Sequence, residues 1–306
     1  KNIQLLGIAG IATLLSILLL VAFRYYMVKR KSNFLLSKKN EEILTQKRNI
    51  QIKAKQIEDS INYSHDIQKA FLPSLSEFKE QYPFSFIFHQ PKEKVSGDFF
   101  WFKETKDNLY FAVADSTGHG VPGAFMSMIG NNLLNAAIDH KKLISPAKML
   151  NYMNKQIQIR LSQAEGKNSD GMDLNICRFE TLPNGNTKVV YAGAKSPLYM
   201  IKNNKLEVLK GDRKSIGGMF LDHSFVFQDV EIELSKGDIL YLTTDGYIDQ
   251  ADNERKRFTS KRFKELIEKS YKFPLEEQKD IFKRALDNHQ AGQAQRDDIS
   301  MISIHI

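Results

Sequence analysis

The sequence has one cysteine, no internal repeat, no low-complexity tract and, over most of its length, no excess charge of either sign. Each absence excludes something. Cys177 alone cannot close an internal disulfide or furnish the cysteine cluster of a structural zinc site, and such sparing use of thiols fits a reducing compartment. The formal net charge of +8 invites a nucleic-acid reading, yet residues 61–306 hold 33 basic against 32 acidic side chains. No basic patch interleaved with aromatics stands out there, and phosphate backbones need clustered Lys and Arg, so no nucleic-acid partner is expected. With 42% hydrophobic content in 306 residues, the chain is neither disordered nor a disulfide-dependent miniprotein.

Charge is wholly missing from residues 3–23, where Gln4, Thr13 and Ser16 are the conspicuous polar members. At about 1.5 Å per residue a helix of that length crosses the ~30 Å hydrocarbon layer. A buried core helix rarely runs so long without a charge. A secretory signal would carry its basic residues before the apolar run, whereas Arg24, Lys29, Arg30 and Lys31 follow it. Residues 1–23 are therefore predicted to form a transmembrane helix in contact with the lipid bilayer. The protein is expected to pass once through the inner (cytoplasmic) membrane, with everything after Arg24 in the cytoplasm and Tyr25 and Tyr26 at the interface. Because the chain starts at Lys1 rather than Met, a further upstream part is expected.

Residues 24–60 carry ten basic and four acidic side chains, a net +6, which places most of the chain's charge beside the membrane and within reach of anionic headgroups. Glycine and proline are absent from Lys38 to Leu72, so residues 24–72 read as a basic juxtamembrane segment and a helical stalk. Ile43, Ile50 and Ile57 recur every seven residues, with Lys47, Ala54 and Ile61 at the accompanying positions. Two readings stay open: a coiled-coil homodimer through the stalk, and a solvated connector helix.

Residues 73–306 form the large domain. Strands are predicted over 84–89, 109–114, 174–180, 188–192, 198–202, 224–234, 238–243 and 299–306 from β-branched and aromatic content. Asn184-Gly185 is a hairpin turn. Helices are predicted over 122–140, 146–164, 262–271 and 275–289 from apolar residues at three- and four-residue spacing. Strands and helices thus come in separate runs, which suggests an α+β domain with helices packed on a two-sheet sandwich rather than a doubly wound sheet.

The chemistry lies in aspartates at strand ends. Asp98 follows Val95-Ser96-Gly97, Asp115 ends Phe111-Ala112-Val113-Ala114, Asp245 ends Tyr241-Leu242-Thr243-Thr244, and Asp297-Asp298 precede the last strand. Taken singly, an Asp before a Gly is most often a turn residue. Together, hard oxygen donors without His or Cys suit Mg²⁺ or Mn²⁺ rather than zinc. Two such cations would activate a water and clamp a phosphoryl oxygen.

Val95-Ser96-Gly97-Asp98-Phe99-Phe100, Ala114-Asp115-Ser116-Thr117-Gly118-His119-Gly120-Val121-Pro122-Gly123-Ala124, Thr244-Asp245-Gly246-Tyr247 and Arg296-Asp297-Asp298-Ile299-Ser300 resemble, in order, the motifs of the SpoIIE-type branch of the PPM (type 2C-like) Ser/Thr protein phosphatases. Asp170-Gly171-Met172-Asp173 and Tyr191-Ala192-Gly193-Ala194 are similar to this branch too, notably to its membrane-linked forms with upstream helical repeats. The resemblance covers about residues 60–306. It implies an αββα sandwich with a dinuclear Mn²⁺ or Mg²⁺ centre between the sheets, and direct attack of an activated water on phosphorus.

By that resemblance Asp115 bridges both metals and Ser116 offers its backbone carbonyl. Asp245 and Asp297 complete one metal's shell, and Asp98 holds the other metal or its waters. Asp298 orders its loop, Asp173 is the candidate for a third, weaker metal, and His119 is the candidate acid for the leaving serine or threonine oxygen. Their bland alternatives are a strand-start turn for Asp173 and a backbone-bonded loop histidine for His119. Trp101 departs from the pattern, since many relatives carry an acidic residue there. No arginine is placed by a motif to bind phosphate, and Lys92 and Lys94 read as surface lysines.

The implied substrate is a phosphorylated regulatory protein of the anti-sigma-factor-antagonist kind. The helix over 60–72 is the candidate link through which the stalk controls catalysis. A catalytically weak membrane-tethered scaffold that binds a phosphorylated partner is the second reading; the four core aspartates oppose it and Trp101 favours it.

Overall fold

The computed structural model describes residues 2–166, 168–218 and 224–306, with side chains from residue 6 onward, so the first members of the apolar run lie outside the described side chains. The chain divides into two units, Lys1–Ser60 and Ile61–Ile306. The described residues of the first are all helical, as part of α1 (Asn2–Phe71). Its described leucines and isoleucines, including Leu14, Leu18, Leu19 and Leu20, are exposed, and by length and composition this helix is long and apolar enough to cross a membrane. Ile43, Ile50 and Ile57 are exposed as well.

The second unit begins with the last turns of α1 and α2 (Leu75–Gln81), whose N-cap Ser74 accepts from the Glu77 N–H. Two antiparallel sheets follow. One orders β1 (Ser85–Gln90), β11 (Ile299–His305), β10 (Ile239–Thr243), β6 (Leu198–Lys202) and β7 (Lys205–Leu209). The other orders β2 (Phe99–Glu104), β3 (Leu109–Ser116), β4 (Gly171–Thr181), β5 (Thr187–Ala194) and β9 (Val230–Leu234), with β8 (Ile216–Gly217) paired to β4. Helices α3 (Gly120–Asp139) and α4 (Pro146–Arg160) cover the second sheet. The short α5 (Gly246–Asp249) leaves β10, and α6 (Ser260–Ser270) and α7 (Leu275–Gln290) cover the first sheet.

Strand alternation builds three cores. Tyr110, Ala112 and Ala114 pack with Leu133, Leu150 and Met153 of α3 and α4. Phe111, Val113 and Cys177 meet Leu198, Leu240, Leu242 and Ile302 between the sheets. Tyr199, Tyr241 and Met301 pack with Phe263 and Phe282 of α6 and α7. The result is the four-layer αββα sandwich.

α2, α5, β7 and β8 were not expected from the sequence, and three further elements differ for visible reasons. The strand expected over 224–234 starts only at Val230, because the Phe227 and Gln228 N–H groups donate to the side chains of Asn151 (3.0 Å) and Asp212 (3.1 Å), and the Phe227 ring enters the helix-side core. The helix expected to Ala164 ends at Arg160, where Ser162 turns left-handed (φ 50°) and a 3-10 turn, Gln163–Glu165, takes over. β2 was not expected at all: Phe99 and Trp101 face the helix-side core while Phe100 and Phe102 face the inter-sheet core, so apolar residues fill both faces and no alternation shows.

Candidate active site

The same alternation aims the acidic residues. On β3, Phe111 and Val113 face the inter-sheet core, and Asp115, two residues on, continues that face to the sandwich edge. On β4, Cys177 faces inward, and Asp173 lies directly across the ladder from Asp115. Directly opposed residues share a face, with Cβ atoms about 5 Å apart. β10 ends at Thr243 and delivers Thr244 and Asp245 to the same edge, and Asp297 and Asp298 arrive just before β11.

Backbone packing brings these loops together. A Cβ on Gly97 would lie 2.5 Å from the Gly118 carbonyl oxygen and 3.1 Å from that of Ser116, so the first two motifs touch through a glycine. A Cβ on Gly246 would collide with the Asp298 carbonyl, so the last two motifs do the same.

The aspartates fall into two environments. Asp298 is buried; one oxygen accepts from the Lys92 N–H and the other from the Gly97 N–H, each at 2.7 Å. Asp98 is buried beside it and accepts from Thr244 Oγ1 at 2.7 Å. Burial drives the Asp98 carboxyl well above the usual carboxylate range; the Thr244 hydroxyl opposes the rise and the Asp298 charge adds to it. Thr244 Oγ1 in turn receives the Ser300 N–H at 3.0 Å, and Ser300 Oγ meets His89 Nδ1 at 2.8 Å. Burial pushes His89 down to about 4.

The outer group is open and crowded. Asp115 is half-buried, and its carboxyl is pushed up to about 10, first by burial and then by the charges of Asp98, Asp245, Asp297 and Asp173. Asp245 is also raised, by burial and then by Asp249, against a lowering hydrogen bond with Asp115. Asp297 is exposed and accepts from the Asp298 N–H at 2.9 Å. Asp173 receives the Ser215 hydroxyl on one oxygen and lies 3.5 Å from Lys195 Nζ with the other. Ser116 is buried with no hydrogen-bond partner for its hydroxyl.

His119 caps α3, exposed, with Nδ1 2.7 Å from Glu93 Oε1, so its partner is a carboxylate rather than backbone. Trp101 is buried against α3 and donates from Nε1 to Asn135 at 3.0 Å; the departure at this position is absorbed by the core, not by the acidic edge. Lys92 contributes its backbone N–H rather than its ammonium, and the Lys94 ammonium bonds Asn62. Glu93 and Lys195 escaped the sequence reading. Each flanks a recognisable motif, and only the fold shows what it faces.

The family model of stage II sporulation protein E (SpoIIE) matches residues 105–306. The SiaA-PP2C domain of Pseudomonas aeruginosa superposes with a TM-score of 0.73 at 31% identity, over 82% of this chain and 98% of that one. The chain belongs to the SpoIIE family. Its second unit has the fold of a PP2C-type serine/threonine phosphatase domain. The SpoIIE phosphatase and regulatory fragment from Bacillus subtilis is a more distant likeness in fold, at 19% identity and a TM-score of 0.56 over 72% of this chain and 62% of that one. Protein IcfG of Synechocystis is 25% identical over 280 residues, 82% of this chain, which spans 43% of the length of that relative.

Within this SpoIIE-family fold the donor set fits hard divalent cations: carboxylates with no cysteine or histidine among them, two of which, Asp115 and Asp245, are raised by burial and by the charges of neighbouring carboxylates. Among the described residues no group of three or more His, Cys, Asp or Glu side chains is already closed to the spacing of a loaded metal shell.

Proposed function

We propose that the protein is a membrane-anchored, metal-dependent phosphoserine/phosphothreonine protein phosphatase. The observation that carries this reading is the crowd of like-charged Asp115, Asp245 and Asp297, with Asp173 beside them, at one edge of a PP2C-type sandwich. Burial with like charges costs free energy that divalent cations would return. Two bound Mn²⁺ or Mg²⁺ ions would supply an activated water and neutralise phosphoryl oxygens. Asp115 would serve both ions, Asp245 and Asp297 one of them, and Asp98, fixed by Thr244, the other or its waters. The Ser116 carbonyl would be a further ligand. Asp298 holds the Lys92 and Gly97 amides and so keeps the Asp98 loop in place. His119, steadied by Glu93, hands a proton to the leaving serine or threonine oxygen.

A site whose Asp245, Asp297 and His119 are exposed suits a phosphorylated side chain presented on a protein surface better than an engulfed small molecule. The substrate proposed is a phosphorylated regulatory protein of the anti-sigma-antagonist kind. The apolar part of α1 would anchor the chain in the cytoplasmic membrane with the phosphatase unit inside, and the exposed Ile43, Ile50 and Ile57 suit pairing of two stalks.

The test is hydrolysis of an aryl phosphate by the full chain in detergent, with Mn²⁺, with chelator, and with Asp245→Ala. Turnover is expected only for the wild type with Mn²⁺. Turnover that survives the chelator or the substitution rejects the mechanism, and binding of a phosphoprotein without any turnover favours the scaffold reading.

A further inference from the structure

Both oxygens of Asp173 are taken by the chain itself, one by the Ser215 hydroxyl and one by the Lys195 ammonium at 3.5 Å. Asp173 faces Asp115 across the β3–β4 ladder, and its charge acts on both Asp115 and Asp245. Lys195 therefore brings a positive charge to the place where a third cation would gather if Asp173 were free to bind one.

The placement of Lys195 is built rather than incidental. It follows β5 with φ at +53°, in the left-handed region that residues with side chains rarely adopt. Its N–H donates to the Asp212 carbonyl at 2.7 Å, and the Asp212 N–H returns a bond to the Gly193 carbonyl at 2.8 Å. Gly211 allows this close approach, since a Cβ there would lie 2.7 Å from the carbonyl oxygens of Gly193 and Ser196. On the other side Tyr191 Oη donates to the Ser196 carbonyl at 2.6 Å, and Asn175 Nδ2 donates to Ser196 Oγ at 2.8 Å. The loop is clamped on both sides and its one long side chain is presented to the carboxylates. Stability does not account for that, because the Lys195 side chain is 62% exposed and an ion pair so wet contributes little.

We propose that Lys195 is a resident cation of the active site: its ammonium occupies Asp173 in place of a third metal, leaving a two-metal enzyme whose third positive charge is covalently part of the chain. This rests on the phosphatase reading above. It makes Lys195 a positioning residue that keeps Asp173 from ligation and adds an attractive charge beside the incoming phosphoryl group. A lysine ammonium has no lone pair and cannot ligate metal, so it competes with a cation for the carboxylate and never joins its shell.

The experiment is Mn²⁺ binding by calorimetry to the full chain in detergent, with wild type, Lys195→Met, Lys195→Arg and the double variant Lys195→Met/Asp173→Asn. Methionine keeps the length of the side chain without its charge, and arginine is the control for charge and fold. Two Mn²⁺ per chain are expected for wild type and Lys195→Arg, three for Lys195→Met with the third weakest, and two again for the double variant. In parallel, Lys195→Met should raise KM for an aryl phosphate more than it changes kcat. A wild type that binds three ions, or a Lys195→Met that still binds two, overturns the inference while the dinuclear mechanism stands. Failure of every variant to bind Mn²⁺ overturns both.

Discussion

Asp298 and Asp115 sit at the same edge of the sandwich and face opposite situations. Asp298 is buried, and each oxygen has a backbone amide at 2.7 Å. Asp115 is less buried, yet its neighbours are carboxylates, and its carboxyl is pushed up to about 10. One acid is compensated by the protein and the other is left for something to be bound. Burial alone therefore does not separate a structural carboxylate from a functional one. The sign of what surrounds it does.

The comparison is sharpest if the two are removed in turn. Asp115→Asn should cost more activity than the roughly 10–100-fold typical of losing a partner behind a metal ligand. The same change replaces a carboxyl that the folded, metal-free state must keep protonated by a neutral amide, so without metal at neutral pH the variant should be more stable than wild type, by at least about 1 kcal/mol. Asp298→Ala should go the other way and lose about 3 kcal/mol, since two charge-assisted hydrogen bonds go with it. Thermal unfolding in chelator, beside aryl phosphate turnover in Mn²⁺, measures both. Equal destabilisation by the two changes would erase the distinction.

Titration breaks the comparison along a second axis. Asp115 ionises near 4 in the unfolded chain and near 10 in the folded, metal-free one. Between those values the folded state holds a proton that the unfolded state has released, so stability falls as pH rises. Without metal, the thermal midpoint of wild type should decline from pH 5 to pH 9, and Asp115→Asn should flatten that decline. A midpoint that rises over this range would show that Asp115 is compensated after all.

Gly246→Ala tests how the two kinds of acid are held together. Its new Cβ meets the Asp298 carbonyl and pushes the Asp245 loop from the Asp297–Asp298 loop. A cost of about 1–3 kcal/mol is expected from urea unfolding, together with weaker Mn²⁺ binding.

What the sequence disclosed follows this division. Asp98, Asp115, Asp245 and Asp297 were legible because each ends or precedes a hydrophobic strand, and strand alternation then fixes the face of Asp115 and Asp173. The sandwich was legible from the order of its elements. β2 was not, because Phe99, Phe100, Trp101 and the partly buried Phe102 fill both faces and show no period. Nor were the partners. Thr244 lies 146 residues from Asp98, and Lys195 reaches Asp173 only because the loop after β5 is clamped by Asp212. Such pairings depend on which loops the sheets bring to one edge, and local pattern carries no trace of them.

Glu93 completes the comparison as an acid compensated by a side chain in water. It pairs with His119 at 2.7 Å, and the two side chains are 45% and 50% exposed. A contact so exposed stabilises by less than about 1 kcal/mol, so Glu93→Gln should leave the stability within about 0.5 kcal/mol of wild type. Glutamine keeps an acceptor for Nδ1 and gives up only the charge. If Glu93 steadies a proton-donating His119, kcat should fall, but by less than the ~10²-fold at which losing a general acid begins. His119→Ala should cost more than Glu93→Gln, and adding Glu93→Gln to it should cost nothing further. A double variant slower than His119→Ala would place the effect of Glu93 elsewhere, at the first turn of α3, where its carboxylate lies over Gly120.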